Sequence, residues 1–120
     1  VALFVADALG GDSFGNRRAI GWERDGQIVA GAVFHDWNPA KEVIEISVAG
    51  NGAWITRPRV REMFSYPFGF CRMVWGKTES PVLRRAWRHL GGDEYDIPGL
   101  WTALTLTREQ WLRYCDGKRP

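Results

Sequence analysis

Gly and Pro residues fall at the joints of the segment from Gly31 to Gly91. They divide it into strand, turn, strand, Gly-containing loop, helix, strand and helix. No other feature of the chain constrains its fold as much. Two strands joined through a helix lie parallel in one sheet, with a right-handed crossover. Ligands bind such sheets beyond the carboxyl ends of strands that part. Here that place is Val48 to Thr56, facing Gly76 to Arg84.

The flanking elements follow from the same punctuation. Val1 to Leu9 reads as a short helix stopped by Gly10-Gly11. Arg18–Glu23 and Gln27–Phe34 flank Asp25-Gly26, a hairpin signal because both turn positions favour positive φ. Trp37-Asn38-Pro39 is the next turn, and Glu42–Val48 the third strand. Thr56 caps a helix near Pro58–Phe64, and Pro67 ends it. Arg72–Gly76 is the fourth strand. Ser80 and Pro81 open a second helix with a stripe of Leu83, Ala86, Trp87 and Leu90. Gly92 to Gly99 reads as a loop. Leu100–Leu106 is the fifth strand, and Thr107 caps a terminal helix. The expectation is an α/β (α+β mixed) fold over residues 1–120, built as a single domain. Its sheet is twisted and mostly antiparallel, with one parallel pair and helices on both faces.

Charge and composition narrow the function. A net charge of +2 is small for a nucleic-acid binder, and no aromatic residues interleave a basic stripe. The Arg57, Arg59, Arg61 and Arg84, Arg85, Arg88 clusters suit a small polyanion, or are solvated helix faces. Cys71 and Cys115 lack metal-ligand spacing and read as reduced thiols. No apolar run reaches the length of a membrane span, and no secretory signal is visible, so a cytoplasmic location is expected. The seven Trp residues are spread along the chain, which argues for packing rather than one aromatic cage.

Two stretches resemble a known family. Gly21-Trp22-Glu23-Arg24-Asp25-Gly26 followed by Gly31-Ala32-Val33-Phe34 is similar to the first hairpin of the GCN5-related N-acetyltransferase (GNAT) superfamily. Ile44 to Gly50 followed by Trp54-Ile55-Thr56-Arg57 resembles its cofactor strand and helix start. Small phage-type members are most similar, through Met63-Phe64-Ser65-Tyr66-Pro67-Phe68, Arg88-His89-Leu90-Gly91 and Arg108-Glu109-Gln110-Trp111-Leu112. The resemblance covers about Ala19 to Leu112. It implies an acetyl-CoA (coenzyme A) site and acetyl transfer to an amine acceptor, small molecule or protein. It makes a homodimer reasonable, and a phage-encoded member would act in the host cytoplasm. Pantetheine would lie along Ser47, Val48 and Ala49. The diphosphate would meet the helix start at Trp54, Ile55, Thr56 and Arg57, where unpaired N–H groups favour anions. Ser80 and Arg84 would complete the cofactor site.

The chain departs from the family pattern at four places. The Arg/Gln-x-x-Gly-x-Gly/Ala loop is replaced by Asn51-Gly52-Ala53 before Trp54. Ser80 stands where an Asn is usual, Trp87 where a Tyr often serves as general acid, and Gly92 where a Phe follows Leu-Gly. These departures keep open a second reading, a degenerate binding module on the same scaffold.

Direct acetyl transfer needs a base for the amine, a donor for the thioester oxygen and a donor for the departing thiolate. Glu45 is the candidate base, with an edge-facing carboxylate paired with a basic side chain as its plainer reading. The N–H of Val48 or Ala49 is the candidate oxyanion donor. Ser80 is a partner for a pantetheine or thiolate hydrogen bond, or simply a helix cap, and both can hold. Tyr95 could replace the missing acid if its loop folded over the cleft. His35 reads as a solvated turn histidine, and Asp93, Glu94 and Asp96 as a solvated acidic loop. No metal site is expected, and no Ser–His–Asp spacing is recognised.

Overall fold

The computed structural model describes residues 17–50 and 55–117. The expected Val1–Leu9 helix, the Asn51-Gly52-Ala53 loop and Trp54 lie outside the described residues. Among the described residues six strands form one sheet: β1 (Arg17–Arg24), β2 (Gln27–Asn38), β3 (Val43–Gly50), β4 (Met73–Thr78), β5 (Asp93–Ile97) and β6 (Trp101–Thr107). Their spatial order is β1-β2-β3-β4-β6-β5. Three helices complete the described elements: α1 (Arg57–Ser65), α2 (Pro81–His89) and α3 (Arg108–Cys115). Among the described strands only β3 and β4 are parallel; every other described pair is antiparallel. This is the expected mixed α/β sheet.

Local chemistry sets the joints. Asp25 at φ 54° and Gly26 at φ 78° make the β1–β2 turn, both left-handed as a tight hairpin with right-twisted strands requires. Each helix opens on a side-chain cap. Thr56 Oγ1 accepts from Arg59 N–H, Ser80 Oγ from Leu83 N–H, and Thr107 Oγ1 from Gln110 N–H. Gln110 Oε1 in turn accepts from Thr107 N–H, closing a reciprocal box.

Strand register puts Ala32, Phe34, Ile46, Val74, Leu104 and Leu106 on one face of the sheet. The three described helices gather there, with Phe64 of α1 at 5.4 Å from the Trp87 ring of α2 and 5.6 Å from the Trp111 ring of α3. Helices on both faces were expected; the described ones share a single face, because their apolar stripes converge on Phe64. The opposite face carries Val33, His35, Glu45, Ser47, Trp75 and Lys77. Trp22, Trp87 and Trp111 are buried in the core as the packing argument requires, whereas Trp37 is exposed.

One strand differs from expectation. Asp93–Ile97 is not a loop but β5, paired along its length with β6. Ile97-Pro98-Gly99-Leu100 turns between them, with Leu100 N–H donating to the Ile97 carbonyl at 3.0 Å and Gly99 at φ 77°. Pro then Gly at the two central positions is the signature of a type II turn.

Candidate functional site

The parallel ladder between β3 and β4 is short. It holds Val43 to Met73, Ile44 to Val74 and Glu45 to Trp75, and then stops. Both strands continue, β3 to Gly50 and β4 to Thr78, but no longer pair. A cleft of about 870 Å³ fills the gap. It is reached from both faces of the sheet: Ser47, Lys77 and Trp101 line it from one, Val48, Trp87 and Leu104 from the other.

Gly76 holds the narrow end. A Cβ there would lie 2.9 Å from the Ile46 carbonyl oxygen, a backbone atom with little room to retreat. Side-chain-free packing at Gly76 thus lets β3 and β4 stay close just past the last paired rung and diverge from there.

The expected cofactor residues divide into three groups. Ser47, Val48, Ala49, Ile55 and Ser80 line the cleft. Thr56 and Arg57 sit at the α1 start beside Ile55, and neither lines it. Arg84 is turned away. Its Nε donates to Glu94 at 3.0 Å, and its Nη2 lies 3.7 Å from Asp96. A guanidinium held by two carboxylates on β5 is not available to a phosphate in the cleft, so Arg84 is corrected from ligand to latch. Two side chains that the sequence did not single out, Lys77 and Trp101, belong to the site. Lys77 Nζ sits 4.9 Å over the Trp101 ring.

Among the expected catalytic residues, Tyr95 is displaced. It lies on β5, at the outer edge of the sheet, exposed and paired with Ala103, and it does not line the cleft. The lid that would have carried it is a strand. Ser80 does line the cleft. Its oxygen accepts from Leu83 N–H at 3.3 Å, which leaves its hydroxyl hydrogen to donate. The cap and the cleft-facing donor are one residue.

Glu45 sits on the last paired rung, buried, with burial holding its carboxyl above the ordinary carboxylate range; His35 and Lys77 oppose that shift and Asp36 adds to it. Glu45 is buried rather than edge-facing, and the basic side chain beside it is His35, whose Nε2 lies 3.9 Å from Oε2.

His35 is buried and not a solvated turn residue, because β2 runs on to Asn38. The β2–β3 register slips between His35 and Asn38, and Asp36 takes φ 53°. Neighbouring residues on a regular strand point to opposite faces; this bulge re-aims Asp36 so that its Oδ2 meets His35 Nδ1 at 2.8 Å. The other ring nitrogen, Nε2, lies 2.8 Å from Ser47 Oγ and 3.9 Å from Glu45 Oε2. Donor atoms of His35, Asp36 and Glu45 lie within 4.8 Å of one another, a spacing a metal ion could bridge. Both ring nitrogens are already committed to Ser47 and Asp36, so the group is read as a hydrogen-bonded chain. The bulge could not be foreseen, since no Gly marks it.

The acidic stretch is spent internally. Glu94 accepts from Arg84 and Arg88, and those hydrogen bonds hold its carboxyl below the usual range. Asp93 accepts from Gln110, and Asp96 from Thr102. The same pairings take Arg84 and Arg88 out of a free basic patch.

A parted parallel pair with a cleft between, flanked by a helix start on either strand's far side, is a distinctive arrangement. No family model matches the chain, and no curated protein matches its sequence. Solved structures do match. The spermidine N-acetyltransferase SpeG of Vibrio cholerae superposes with a TM-score of 0.66 at 13% identity, over 82% of this chain and 70% of that one. This chain has the GNAT fold. The same enzyme solved with CoA and spermine gives a TM-score of 0.65 at 12% identity, over 80% and 68% of the two chains. A ribosomal-protein-alanine N-acetyltransferase from Brucella melitensis gives 0.59 at 19% identity, over 76% and 68%. This chain therefore shares its scaffold with N-acetyltransferases, one of them solved with CoA and spermine. None of its described helices is long and apolar enough to cross a membrane.

Proposed function

We propose that this protein binds acetyl-CoA between β3 and β4 and transfers the acetyl group to an amine. The observation that carries the reading is the loss of the β3–β4 ladder beyond Glu45 and Trp75, with about 870 Å³ left between the strands. Backbone N–H and C=O groups on the parted edges need partners, and a pantetheine arm has amides to offer them. The volume lies within the range of small-molecule pockets. Two helix starts flank the gap, neither with an acidic residue in its first turn, so both favour the diphosphate. Arg57, at the start of α1 beside Ile55, would reach the diphosphate from outside the cleft lining to add a charge-assisted bond. When bound, acetyl-CoA supplies an acyl group already activated as a thioester.

The chain's own groups do the rest. Glu45, its carboxyl raised by burial yet beside His35 and Lys77, takes the proton of the incoming ammonium through water. Backbone N–H groups of Val48 or Ala49 receive the developing oxyanion without reorganising. Ser80 O–H donates to the departing thiolate. Trp87 cannot, since its indole N–H already donates to the Thr105 carbonyl at 2.8 Å.

Calorimetry with CoA tests the reading. Binding should be measurable in the micromolar to millimolar range, and Ser80→Ala should weaken it about tenfold, the loss expected for one hydrogen bond. Absence of binding at millimolar CoA by a folded sample would sink it. Acceptors are best screened with polyamines first, because a fold neighbour was solved with spermine.

A second reading, a binding module on this scaffold, has one observation in its favour. Trp37, Phe70 and Tyr66 are exposed and touch edge to face, with centroids 5.2 and 5.3 Å apart. A contiguous aromatic patch of this kind suits a protein partner or a second copy. Turnover of any simple amine would decide against it.

A further inference from the structure

Ser47, His35 and Asp36 form a continuous hydrogen-bonded chain from the cleft to solvent. Ser47 lines the cleft two residues past the last β3–β4 rung. His35 is buried, and the Asp36 side chain is 73% exposed. A carboxylate can only accept, so Nδ1 of a neutral His35 carries the ring hydrogen toward Asp36. Nε2 then offers its lone pair to the Ser47 hydroxyl at 2.8 Å. A positive charge arising on the ring would lie between two carboxylates, Asp36 at 2.8 Å and Glu45 at 3.9 Å. Three residues from two strands thus reproduce the roles of nucleophile, base and orienting acid. The sequence hid this, because the three lie on neighbouring strands and Asp36 reaches His35 only through the bulge.

We propose that Ser47 is an activated nucleophile that accepts an acyl group from a thioester or activated ester, with His35 as base and Asp36 holding its tautomer. The inference rests on the cleft being an acyl-thioester site, and it adds an activity that needs no amine. Ser47 Oγ bonds to the acyl carbon as its proton passes to His35 Nε2. The bond from acyl carbon to sulfur, or to the ester oxygen, breaks, and the leaving group departs with the electron pair and takes that proton. Water then attacks the acyl-serine with His35 again as base. The Oγ–acyl bond breaks, Ser47 regains its hydrogen and a carboxylic acid leaves. Backbone N–H groups on the unpaired edge of β3 receive the oxyanion in both halves.

The test uses the full chain and three probes: p-nitrophenyl acetate, acetyl-CoA and a fluorophosphonate. Each is incubated with the protein, quenched in acid and followed by intact mass and peptide mapping. The expected result is a single adduct on Ser47, absent in Ser47→Ala. Labelling should slow about 100-fold in His35→Gln and about tenfold in Asp36→Asn, in line with general-base contributions. Because His35 is buried and its variant could misfold, exposed Asp36→Asn is the control that keeps the native fold. A folded protein that leaves Ser47 unmodified by all three probes overturns the proposal, as does acylation confined to Lys or Cys. CoA binding without labelling overturns the nucleophile alone. Labelling of Ser47 that saturating CoA does not block supports the nucleophile and overturns the placing of CoA in this cleft.

Discussion

Glu45, as the proposed base, would couple chemistry to stability at a single residue. Its carboxyl is raised in the folded state by burial, so folded protein binds more protons than unfolded protein in the window above the ordinary value of 4.5. Stability contributed by the protonated form is complete below that value and is lost as pH rises through the raised folded value. Glu45→Gln removes this loss. Melting curves from pH 4 to 8 should therefore fall less steeply for the variant, while acetyl transfer drops by about two orders of magnitude. A variant that melts lower than the parent at neutral pH and keeps its activity would contradict both halves. Trp87 and Gly92 are a second coupled pair. A Cβ on Gly92 would collide with the Trp87 indole and the Thr105 carbonyl. Gly92→Ala should cost about 1–3 kcal/mol by overpacking. Adding Trp87→Phe should recover part of that cost, a non-additivity that urea titrations of the single and double variants would read. The Trp87 indole fills the space a side chain at position 92 would need. Cys71 is fully buried, and burial pushes its thiol up to about 11. In native buffer it should resist a disulfide reagent that modifies it at once in guanidinium.

At the scale of elements, the joints were readable because each has local chemistry. Asp25-Gly26, Thr56, Ser80-Pro81 and Thr107 all act where the sequence placed them. Thr107→Ala removes half of a reciprocal cap and should cost about 1 kcal/mol, seen as a fall of about 4 °C in melting temperature. Elements defined by tertiary partners were harder to read. β5 is Asp93-Glu94-Tyr95-Asp96-Ile97, with no apolar alternation and three acidic side chains. It is a strand because β6 pairs with it, and because Arg84 and Arg88 neutralise Glu94 across the helix–strand joint. Pro98-Gly99 was the signal that could have marked it. The β2 extension failed to show for a similar reason: Trp37-Asn38-Pro39 carries turn chemistry, and only pairing with Val43 makes Asn38 part of the strand. Within the site, cleft-lining backbone was legible from strand order. The His35–Ser47 contact was not, since it joins residues whose alignment depends on register.

Over the whole molecule, one gap organises everything described here. Arg84 and Arg88 latch α2 to β5 through Glu94, and α2 presents Ser80 to the cleft. That latch is partly solvent-exposed, so raised salt should loosen β5 before it disturbs the aromatic core around Phe64. Hydrogen exchange at low and high salt would show early loss of protection confined to 93–97; uniform loss across the sheet would show that β5 is not a separate unit. Two adjoining strands that separate forgo the rungs a closed sheet would have had. A ligand of the proposed kind would enter as a surrogate strand, chosen for amides at the right intervals before it is chosen for its reactive end. Peptide-like arms should therefore compete for the slot even when they carry no thioester, and flat rigid rings should not.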